Sequence, residues 1–413
     1  MLGRENAVSV DEARDLLARH IPAKAPSVEK LEIGDCYKRV LAEDLYSPED
    51  LPAFSRSTVD GFAVKSSDTF GASETLPSYL NVRHEVFMGK ETLFGMNSGA
   101  AAKIPTGGML PEGADAVVML EHVQAVDETL IEILKPVAPG ENVISAGEDI
   151  RRDEIILKKG SLLRPQDIAA IAGIGLKELS IYEKPRVAII STGDEIIPPG
   201  TPLKLGQVRD INSYNLAGLI LENGGEPVKK GIFRDIYDEI KRAVEESLRD
   251  SAMVLISGGS SVGIMDLTAK IINGLGLPGV VFHGVALKPG KPTIGGVVNG
   301  VPVFGLPGHP AAVTICFDVF IKRVLRMLTG ACPKHFLERK TLTARLAKNV
   351  SSVHGREEHV RVSIEERAGE LWAVPVLGKS GLIRTLVLAD GTVIIPPHKR
   401  GLQEGELVEV ELF

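Results

Sequence analysis

Two lysines lie close together in the short segment Lys-Pro-Gly-Lys-Pro, residues 288–292. Proline fixes φ and lacks an N–H donor, so this segment cannot form a helix. Lys288 and Lys291 are therefore held on a rigid turn at the end of an apolar run. Because the whole chain carries a net charge of −7, two cations displayed in this way indicate a local binding site for an anion.

Carboxylates form a second group of candidate functional residues in the same part of the chain. They are Asp194, Glu195, Asp235 and Asp266. Each one alone could cap a helix or lie in solvent. Carboxylates beside a phosphate repel it unless Mg²⁺, which takes oxygen ligands from both, lies between them. Together with the lysines, the set indicates a Mg²⁺-dependent reaction of a phosphate or nucleotide ester.

A Gly/Ser loop, GGSSVG (258–263), joins a predicted strand to a predicted helix. Its glycines leave backbone N–H groups free to bind an anion near a helix N-terminus, although a plain turn explains the loop equally well. The window 259–263 also matches G-x-S-x-G of hydrolases. We discount that match because two glycines precede the serine, and only His309 lies nearby as a partner. His354 and His359 are predicted to be exposed.

Predicted strands and helices alternate through this region. The strands are RVAIIS (186–191), EPVKKGIF (226–233), MVLIS (253–257) and VVFHGVAL (280–287), and the helices cover 212–225, 235–250, 265–275 and 310–328. This alternation predicts a parallel sheet with crossover connections. An Asn-Gly turn follows in VNGVPVFG. Because ligands bind outside the carboxyl ends of parallel strands, we expect the loops after these strands to converge on one crevice.

The remaining segments predict smaller units around this α/β region. Val10 to His20 is an amphipathic helix with Ser9 or Asp11 near its N-cap. Short strands and Gly/Pro turns from Leu51 to about Ala138 predict an all-β insertion. After Pro333 the alternating pattern predicts a small barrel or sandwich.

Composition excludes several functional classes. Aromatic residues make up only 5% of the 413 residues, and the net charge is negative, so a nucleic-acid partner is not expected. The three cysteines form no C-x-x-C pair, which is typical of reduced thiols in a cytoplasmic protein. No apolar run approaches the length of a membrane span, and we expect neither a signal peptide nor a membrane partner.

Read together, the loop motifs resemble a known family. They are STVDGFAV (57–64), IPTGGMLPEGADAVV (104–118), GENVISAGEDI (140–150), STGDEI (191–196), ISGGSSVGIMD (256–266), KPGKP (288–292) and LPGHP (306–310). Their types and order are similar to those of the molybdopterin molybdenumtransferase (MoeA) family, to which the E domain of gephyrin is related. The motifs extend from the insertion to Pro310, so the resemblance covers most of the chain.

The resemblance implies a multidomain α/β plus β fold. A three-layer molybdopterin-binding α/β domain would span 182–332, with an N-terminal helix (1–27) packed on it. An elongated linker domain would be built from 28–50 and 139–181, an all-β insertion domain from 51–138, and a C-terminal β-barrel from 333–413. It also implies a cytoplasmic homodimer in which both subunits contribute to each cleft, because the insertion lies far from the α/β domain within one elongated chain.

The implied activity is the insertion of molybdenum from molybdate into the dithiolene of adenylylated molybdopterin, with Mg²⁺-dependent release of AMP. Matched motif by motif, the resemblance implies catalytic roles for Asp60, Glu195, Asp235 and Asp266. It implies contacts with Mg²⁺ for Asp194, Glu195 and Asp266. Substrate binding falls to Thr106, Ser257, Gly258, Gly259, Ser260, Ser261, Lys288, Lys291, Pro307 and Gly308. Contacts with other cofactor-biosynthesis proteins are also expected.

Some positions depart from the family pattern. Gly284 replaces a frequent lysine, Ala312 a serine that can contact the oxyanion, and Arg384 and Thr385 two serines. These departures leave the choice between molybdate and tungstate open. The alternatives are a molybdopterin adenylyltransferase, which shares the α/β domain, and a non-catalytic scaffold. The extra domains disfavour the first, and the intact acids disfavour the second.

Overall fold

The computed structural model describes residues 7–22, 25–258, 262–333 and 340–413. The N-terminal helix α1 (Val10–His20) forms as predicted, and the side chain of Ser9 caps it by accepting a hydrogen bond from the N–H of Glu12 at 3.1 Å. Its apolar face packs into a core shared with the α/β region. None of the helices in the described part of the chain is long and apolar enough to cross a membrane.

The next part of the chain is mostly short strands. They are β1 (Val28–Glu32), β2 (Leu45–Tyr46), β3 (Arg56–Ser57), β4 (Gly61–Val64), β5 (Ser78–Glu85), β6 (Ala100–Ile104), β7 (Ala116–Met119), β8 (Val123–Ala125), β9 (Leu130–Ile133), β10 (Val143–Ile144), β11 (Ile155–Leu157) and β12 (Glu178–Tyr182), with helix α2 (Pro165–Gly173) before β12. Strands β4 to β9 form one six-stranded sheet, in the order β7-β4-β6-β5-β9-β8. The pairs β1–β12, β2–β11 and β3–β10 connect the segments on either side of it.

The α/β region begins after β12. Its elements are β13 (Arg186–Thr192), β14 (Ile196–Ile197), β15 (Val208–Arg209), α3 (Asn212–Glu222), β16 (Glu226–Phe233), α4 (Tyr237–Asp250), β17 (Met253–Gly258), α5 (Val262–Leu275), β18 (Pro278–His283), β19 (Leu287–Lys288), β20 (Ile294–Val298), β21 (Val301–Leu306), α6 (Pro310–Cys316) and α7 (Lys322–Leu328). A six-stranded sheet in the order β16-β13-β17-β21-β20-β18 lies between two apolar layers. Helices α1, α3, α6 and α7 cover one face, and α4 and α5 cover the other.

The sheet is mixed rather than wholly parallel. Strands β16, β13, β17 and β21 are parallel, as predicted, but β20 is antiparallel to both β21 and β18. The predicted Asn-Gly turn explains this, because Asn299 and Gly300 both have positive φ, 51° and 87°, as a tight hairpin between β20 and β21 requires. Strand β18 runs in the same direction as β21, so the segment after β18 still reaches the carboxyl edge of the parallel strands.

Two predicted elements differ from the prediction. The predicted strand 280–287 stops at His283, because Gly284 turns the chain with a φ of 91°. Residues Leu287 and Lys288 then join the sheet of the C-terminal region. The predicted helix 310–328 is interrupted by a π-helical segment, Phe317–Ile321.

The C-terminal region is a barrel, which resolves the prediction of a barrel or sandwich. Its elements are β22 (Thr341–Leu346), β23 (Val350–Ser351), β24 (Glu357–Arg367), β25 (Glu370–Pro375), α8 (Arg384–Val387), β26 (Gly391–Ile395), β27 (Gly401–Leu402) and β28 (Leu407–Leu412). The sheet order β24-β25-β22-β28-β26 closes through a further pairing of β24 with β26. The predicted fold class is therefore confirmed, while the division into domains at the stated boundaries stays our proposal.

Candidate functional site

The carboxyl edge of the sheet brings together loops that are far apart in sequence. The side-chain amide of Asn212, at the start of α3, donates to the hydroxyl oxygen of Ser257 at 3.0 Å and to the carbonyl oxygen of Gly308 at 2.9 Å. Ser257 lies near the end of β17, and Gly308 follows β21. Two predicted substrate-binding positions are thus joined by a residue that sequence reasoning missed.

Close approach of β13 and β17 at this edge requires a glycine. A Cβ at Gly258 would lie 1.7 Å from the hydroxyl oxygen of Thr192, so no larger residue fits there. The Thr192 hydroxyl and Oδ1 of Asn212 are both buried without a hydrogen-bond partner among the described residues. Buried polar atoms are costly unless satisfied, so a group that reached these two atoms would stabilise this edge. The predicted positions Gly259, Ser260 and Ser261 lie outside the described residues.

Three predicted carboxylates meet where β13 and β16 end. The N–H of Asp235 donates to Oδ1 of Asp194 at 3.4 Å. Burial, followed by the negative charges of Asp194 and Glu195, raises the pKa of Asp235. In the part of the chain that the structure describes, the buried Oδ1 of Asp235 has no hydrogen-bond partner. A buried oxygen among like charges favours a cation or a proton at this position.

Asp266, the fourth predicted acid, lies within α5 rather than at its start, and it is half-buried. It therefore does not cap this helix. Across the described ranges, no group of three acidic, histidine or cysteine side chains has the geometry to hold a metal ion by itself. The Mg²⁺ contacts of Asp194, Glu195 and Asp266 stay a prediction.

A cavity of about 740 Å³ lies between the sheet edge and the C-terminal barrel. The α/β region contributes Lys288, Lys291, Pro307 and His309 to its wall. The barrel adds a second set of basic side chains, namely Arg356, His359, Arg361 and Lys379. Glu358 is the one acidic residue among the residues that line the cavity in the described structure. This excess of positive charge supports the anion site predicted from the two lysines.

The two lysines have different surroundings. The Nζ of Lys288 lies 2.7 Å from Oε1 of Glu358, whose side chain is only 12% exposed. Lys291 lines the same cavity, and no carboxylate in the described part of the chain lies within ion-pair distance of it. Lys288 is therefore neutralised within the protein, whereas the charge of Lys291 faces the cavity uncompensated.

Arg361 is the most unusual cation in the cavity wall, because it is 7% exposed. One guanidinium nitrogen donates to the carbonyl oxygen of Gly378 at 3.1 Å, but its Nε is buried and has no partner within the described ranges. Burial lowers the pKa of Arg361, and the charge of Glu358 opposes this shift. A buried N–H without an acceptor is costly, so an acceptor that reached Arg361, from water or from an anion, would stabilise the protein.

His309 and His359 also line the cavity. Nδ1 of His309 lies 2.9 Å from the hydroxyl oxygen of Ser380, which holds the loop after β21 against the barrel. The prediction that His359 is exposed is wrong: it is 4% exposed and lies 2.9 Å from Glu357. His354 is exposed as predicted.

Three of the positions that depart from the family pattern lie in the cavity wall or next to residues that form it, namely Ala312, Gly284 and Thr385. Ala312 lines the cavity and carries no hydroxyl to offer a ligand. Gly284 adopts a backbone conformation that disfavours the lysine frequent there. Thr385 is buried, and its hydroxyl donates to the carbonyl oxygen of Leu382 at 2.7 Å, whereas Arg384 begins α8.

The remaining predicted pair lies on the insertion. Oδ1 of Asp60 accepts hydrogen bonds from the backbone N–H of Thr106 at 2.7 Å and from its hydroxyl at 3.0 Å. These two bonds lower the pKa of Asp60, and both residues are exposed. Within the described ranges, no hydrogen bond or ion pair connects either residue to the α/β region. One chain thus presents two separate groups of predicted site residues.

This chain is similar to known proteins over most of its length. The sequence matches three family models in order: "MoeA N-terminal region (domain I and II)" over residues 8–175, "Probable molybdopterin binding domain" over 188–327, and "MoeA C-terminal region (domain IV)" over 343–413.

Relatives and solved structures are similar over nearly the full length. A putative molybdopterin biosynthesis protein of Methanocaldococcus jannaschii is 37% identical over 94% of this chain and 92% of its own. The molybdopterin molybdenumtransferase of Bacillus subtilis is 32% identical over 100% of this chain and 96% of its own. The crystal structure of a molybdopterin biosynthesis MoeA protein from Pyrococcus horikoshii, 40% identical, superposes with a TM-score of 0.84 over 98% of this chain and 99% of that chain.

Proposed function

This chain belongs to the MoeA family, and from that membership and the chemistry of the basic cavity we propose that it is a molybdopterin molybdenumtransferase. It inserts molybdenum from molybdate into the dithiolene of adenylylated molybdopterin and releases AMP. It acts in the cytoplasm as a homodimer. Tungstate is the alternative oxyanion.

The observation that carries the proposal is the buried guanidinium of Arg361, whose Nε has no partner among the residues that the structure describes, in the wall of a cavity that also holds Lys288 and Lys291. Molybdate is a tetrahedral dianion with oxygen acceptors on every side. Cations that are already in place can bind such a ligand with little reorganisation. The cavity is also far larger than one oxyanion, which leaves room for part of a second substrate.

The part of the sheet edge next to this cavity supports binding of the adenylylated pterin. Asn212 holds Ser257 and the loop at Gly308 in fixed positions, and its Oδ1 remains able to accept a hydrogen bond. Phosphate groups suit the N-terminal end of α5, which follows β17. The loop after β21 reaches both this group, through Gly308, and the cavity wall, through Pro307 and His309, so a pterin bound here would lie beside the oxyanion.

The acidic residues near Asp235 fit Mg²⁺. This ion takes oxygen ligands and is commonly bound through one or two carboxylates together with substrate phosphates and water. Asp235 offers a buried, unsatisfied oxygen, and Asp194 and Glu195 add negative charge beside it. When bound, Mg²⁺ would neutralise phosphate charge as AMP leaves. The carboxylates orient that end of the substrate, and Asp266 serves as a further acid-base or binding group.

The proposal predicts that incubation with adenylylated molybdopterin, Mg²⁺ and molybdate yields AMP and a pterin that carries molybdenum, detected by mass spectrometry. Omitting molybdate should prevent AMP release. A molybdopterin adenylyltransferase would instead form the adenylylated pterin from ATP and molybdopterin without molybdate. A non-catalytic scaffold would carry out neither reaction. The behaviour of an adenylyltransferase and that of a scaffold would each contradict the proposal. A parallel reaction with tungstate determines which oxyanion is preferred.

A further inference from the structure

Glu358 occupies an unexpected place for a carboxylate, in the wall of a cavity that otherwise gathers cations. Both of its oxygens are engaged. Oε1 lies 2.7 Å from Nζ of Lys288, and Oε2 accepts a hydrogen bond from the hydroxyl of Ser352 at 2.7 Å. Its side chain is 12% exposed, so it is held in one orientation.

The backbone reinforces this contact. Lys288 is in register with Glu358 where β19 pairs with β24, and the N–H of Glu357 donates to the carbonyl oxygen of Ala286 at 2.9 Å. The first lysine of the rigid turn is thus built into the sheet of the C-terminal barrel. Its position depends on the barrel as much as on the α/β region.

We propose that Glu358 is a positioning residue that holds Lys288 in the cavity and competes with the oxyanion for its charge. This inference rests on the proposed function. An ammonium group has three donors, and Glu358 takes one of them, so Lys288 can still contact an oxyanion. The fixed carboxylate nevertheless repels a dianion. Glu358 therefore weakens oxyanion binding before the reaction begins. It also holds Lys288 in the position needed for transfer of the metal.

Glu358→Gln tests this, because it keeps the shape and an acceptor for Ser352 but removes the charge. By titration calorimetry with molybdate alone, we expect binding about three- to ten-fold tighter than in the parent, which corresponds to roughly one kcal/mol of removed repulsion. Turnover should fall, because Lys288 is no longer fixed. Opposite effects on affinity and kcat distinguish positioning from a merely structural role.

Glu366→Gln is the matched control. Glu366 lies on the same strand, is exposed and does not line the cavity, and its substitution changes the net charge equally. It should leave molybdate affinity unchanged. Unchanged or weaker binding in a folded Glu358→Gln variant would overturn the inference, as would equal tightening in both variants.

A second comparison covers the case in which Glu358→Gln does not fold. Lys288→Met leaves the carboxylate uncompensated, whereas the double variant Lys288→Met/Glu358→Gln leaves no unpaired charge. The double variant should bind molybdate at least about three-fold tighter than Lys288→Met; equal or weaker binding contradicts the inference. If the parent does not bind molybdate at all, the proposed function fails instead. If Lys291→Met weakens binding but Glu358 variants have no effect, only the role of Glu358 is wrong.

Discussion

The N–H of Asp235 donates to Oδ1 of Asp194 at 3.4 Å, so two acidic residues from adjacent strand ends are held side by side. The contact brings the Asp235 carboxylate close to the charges of Asp194 and Glu195, and its own buried Oδ1 has no partner in the described structure. This arrangement costs stability when the carboxylate is ionised. Such a cost is expected where a cation binds the folded protein.

Asp235→Asn should raise the melting temperature at pH 7.5 by a few degrees. Because the pKa of Asp235 is raised in the folded state, ionisation lowers stability as pH rises from the ordinary pKa through the raised one. The penalty is complete above that window and absent well below it, so the two proteins should melt alike near pH 3. Thermal denaturation across this pH range measures the difference.

The same variants report on Mg²⁺. A ligand that binds only the folded state raises the melting temperature, so Mg²⁺ should stabilise the parent more than Asp235→Asn. Asp238→Asn serves as the control, since Asp238 is exposed in the first turn of α4 and this variant should lose only a little helix stability.

An unchanged melting temperature of Asp235→Asn at pH 7.5 would show that the carboxylates do not repel one another.

Asn212→Asp should weaken binding of adenylylated molybdopterin about ten-fold. The aspartate has the same shape but no N–H donor, so the bond to the Gly308 carbonyl oxygen is lost and two acceptors face each other there, whereas the Ser257 hydroxyl can turn and donate to the carboxylate. A lost hydrogen bond that leaves a buried partner costs about 1–3 kcal/mol. We expect KM for the pterin to rise and the melting temperature to fall.

Asn215→Asp separates these two effects. Asn215 lies on the same helix and donates to Thr314 at 2.8 Å, away from the strand ends. This control should lower the melting temperature with no change in KM. Equal changes in KM for both variants would mean that Asn212 acts only through stability.

Much of this site was accessible from sequence because its residues follow strands directly. The parallel order of β13, β17 and β21 takes Ser257 and Gly308 to one edge, as strand–loop alternation predicts. Arg361 and Glu358 were missed, since they lie in a strand whose alternating pattern indicates packing, and nothing local reveals that this strand pairs with Lys288. Asn212 was missed for a similar reason: a polar residue at a helix start ordinarily caps that helix.

The antiparallel strand β20 shows a second limit of the sequence reasoning. Local residues identified the Asn-Gly turn correctly, but the rule that strands and helices alternate favoured a wholly parallel sheet. The hairpin geometry of Asn299 and Gly300 prevails because both positive φ values fit one tight turn. Strand β18 is antiparallel to β20, and β20 is antiparallel to β21, so β18 runs parallel to β21. The loop that carries Lys288 and Lys291 therefore still lies at the predicted edge.

Asp266→Asn should lower turnover by about 10²–10⁴, the range expected when an acid-base group is lost. Because Asp266 lies inside α5, no loss of a helix cap complicates the result. The melting temperature should be unchanged, and AMP release and molybdenum insertion should fall together. Near-normal turnover of the folded variant would remove Asp266 from the catalytic residues.

Mixing two inactive variants tests whether one cleft uses both subunits. Asp60→Asn damages the insertion, and Lys291→Met damages the anion cavity, which are separate in one chain. In a mixed dimer with shared clefts, one of the two clefts is built entirely from undamaged parts. Random exchange of subunits should therefore restore about one quarter of the parent activity.

The control for this experiment is each variant incubated alone, with molybdate far below the dissociation constant of Lys291→Met, so that each variant stays nearly inactive. If each cleft lay within one chain, every cleft in the mixture would carry one damaged residue, and no activity would return. Light scattering that shows a 44.2 kDa monomer with full activity would also contradict the dimer.

Lys291→Met should weaken molybdate binding about ten- to a hundred-fold, because a charge-assisted hydrogen bond contributes about 1.5–3 kcal/mol. Methionine keeps an apolar stem, and Lys291 has no acidic partner in the described structure, so the melting temperature should change little. Sulfate should compete with molybdate in the parent and less in the variant. Binding measured at low salt gives the clearest difference.

Lys288→Met provides the contrast, because its ammonium is already paired with the mostly buried Glu358. This variant should lose about 1 kcal/mol of stability as well as affinity, since it leaves that carboxylate without its partner. If both lysines were only solvated surface charges on a stiff turn, the result would differ. Both variants would then bind molybdate as the parent does, and sulfate would have no effect. That outcome would leave Arg361 as the only reason to locate the anion here, and Arg361→Met, tested in the same titration, would then determine whether the cavity binds an oxyanion at all.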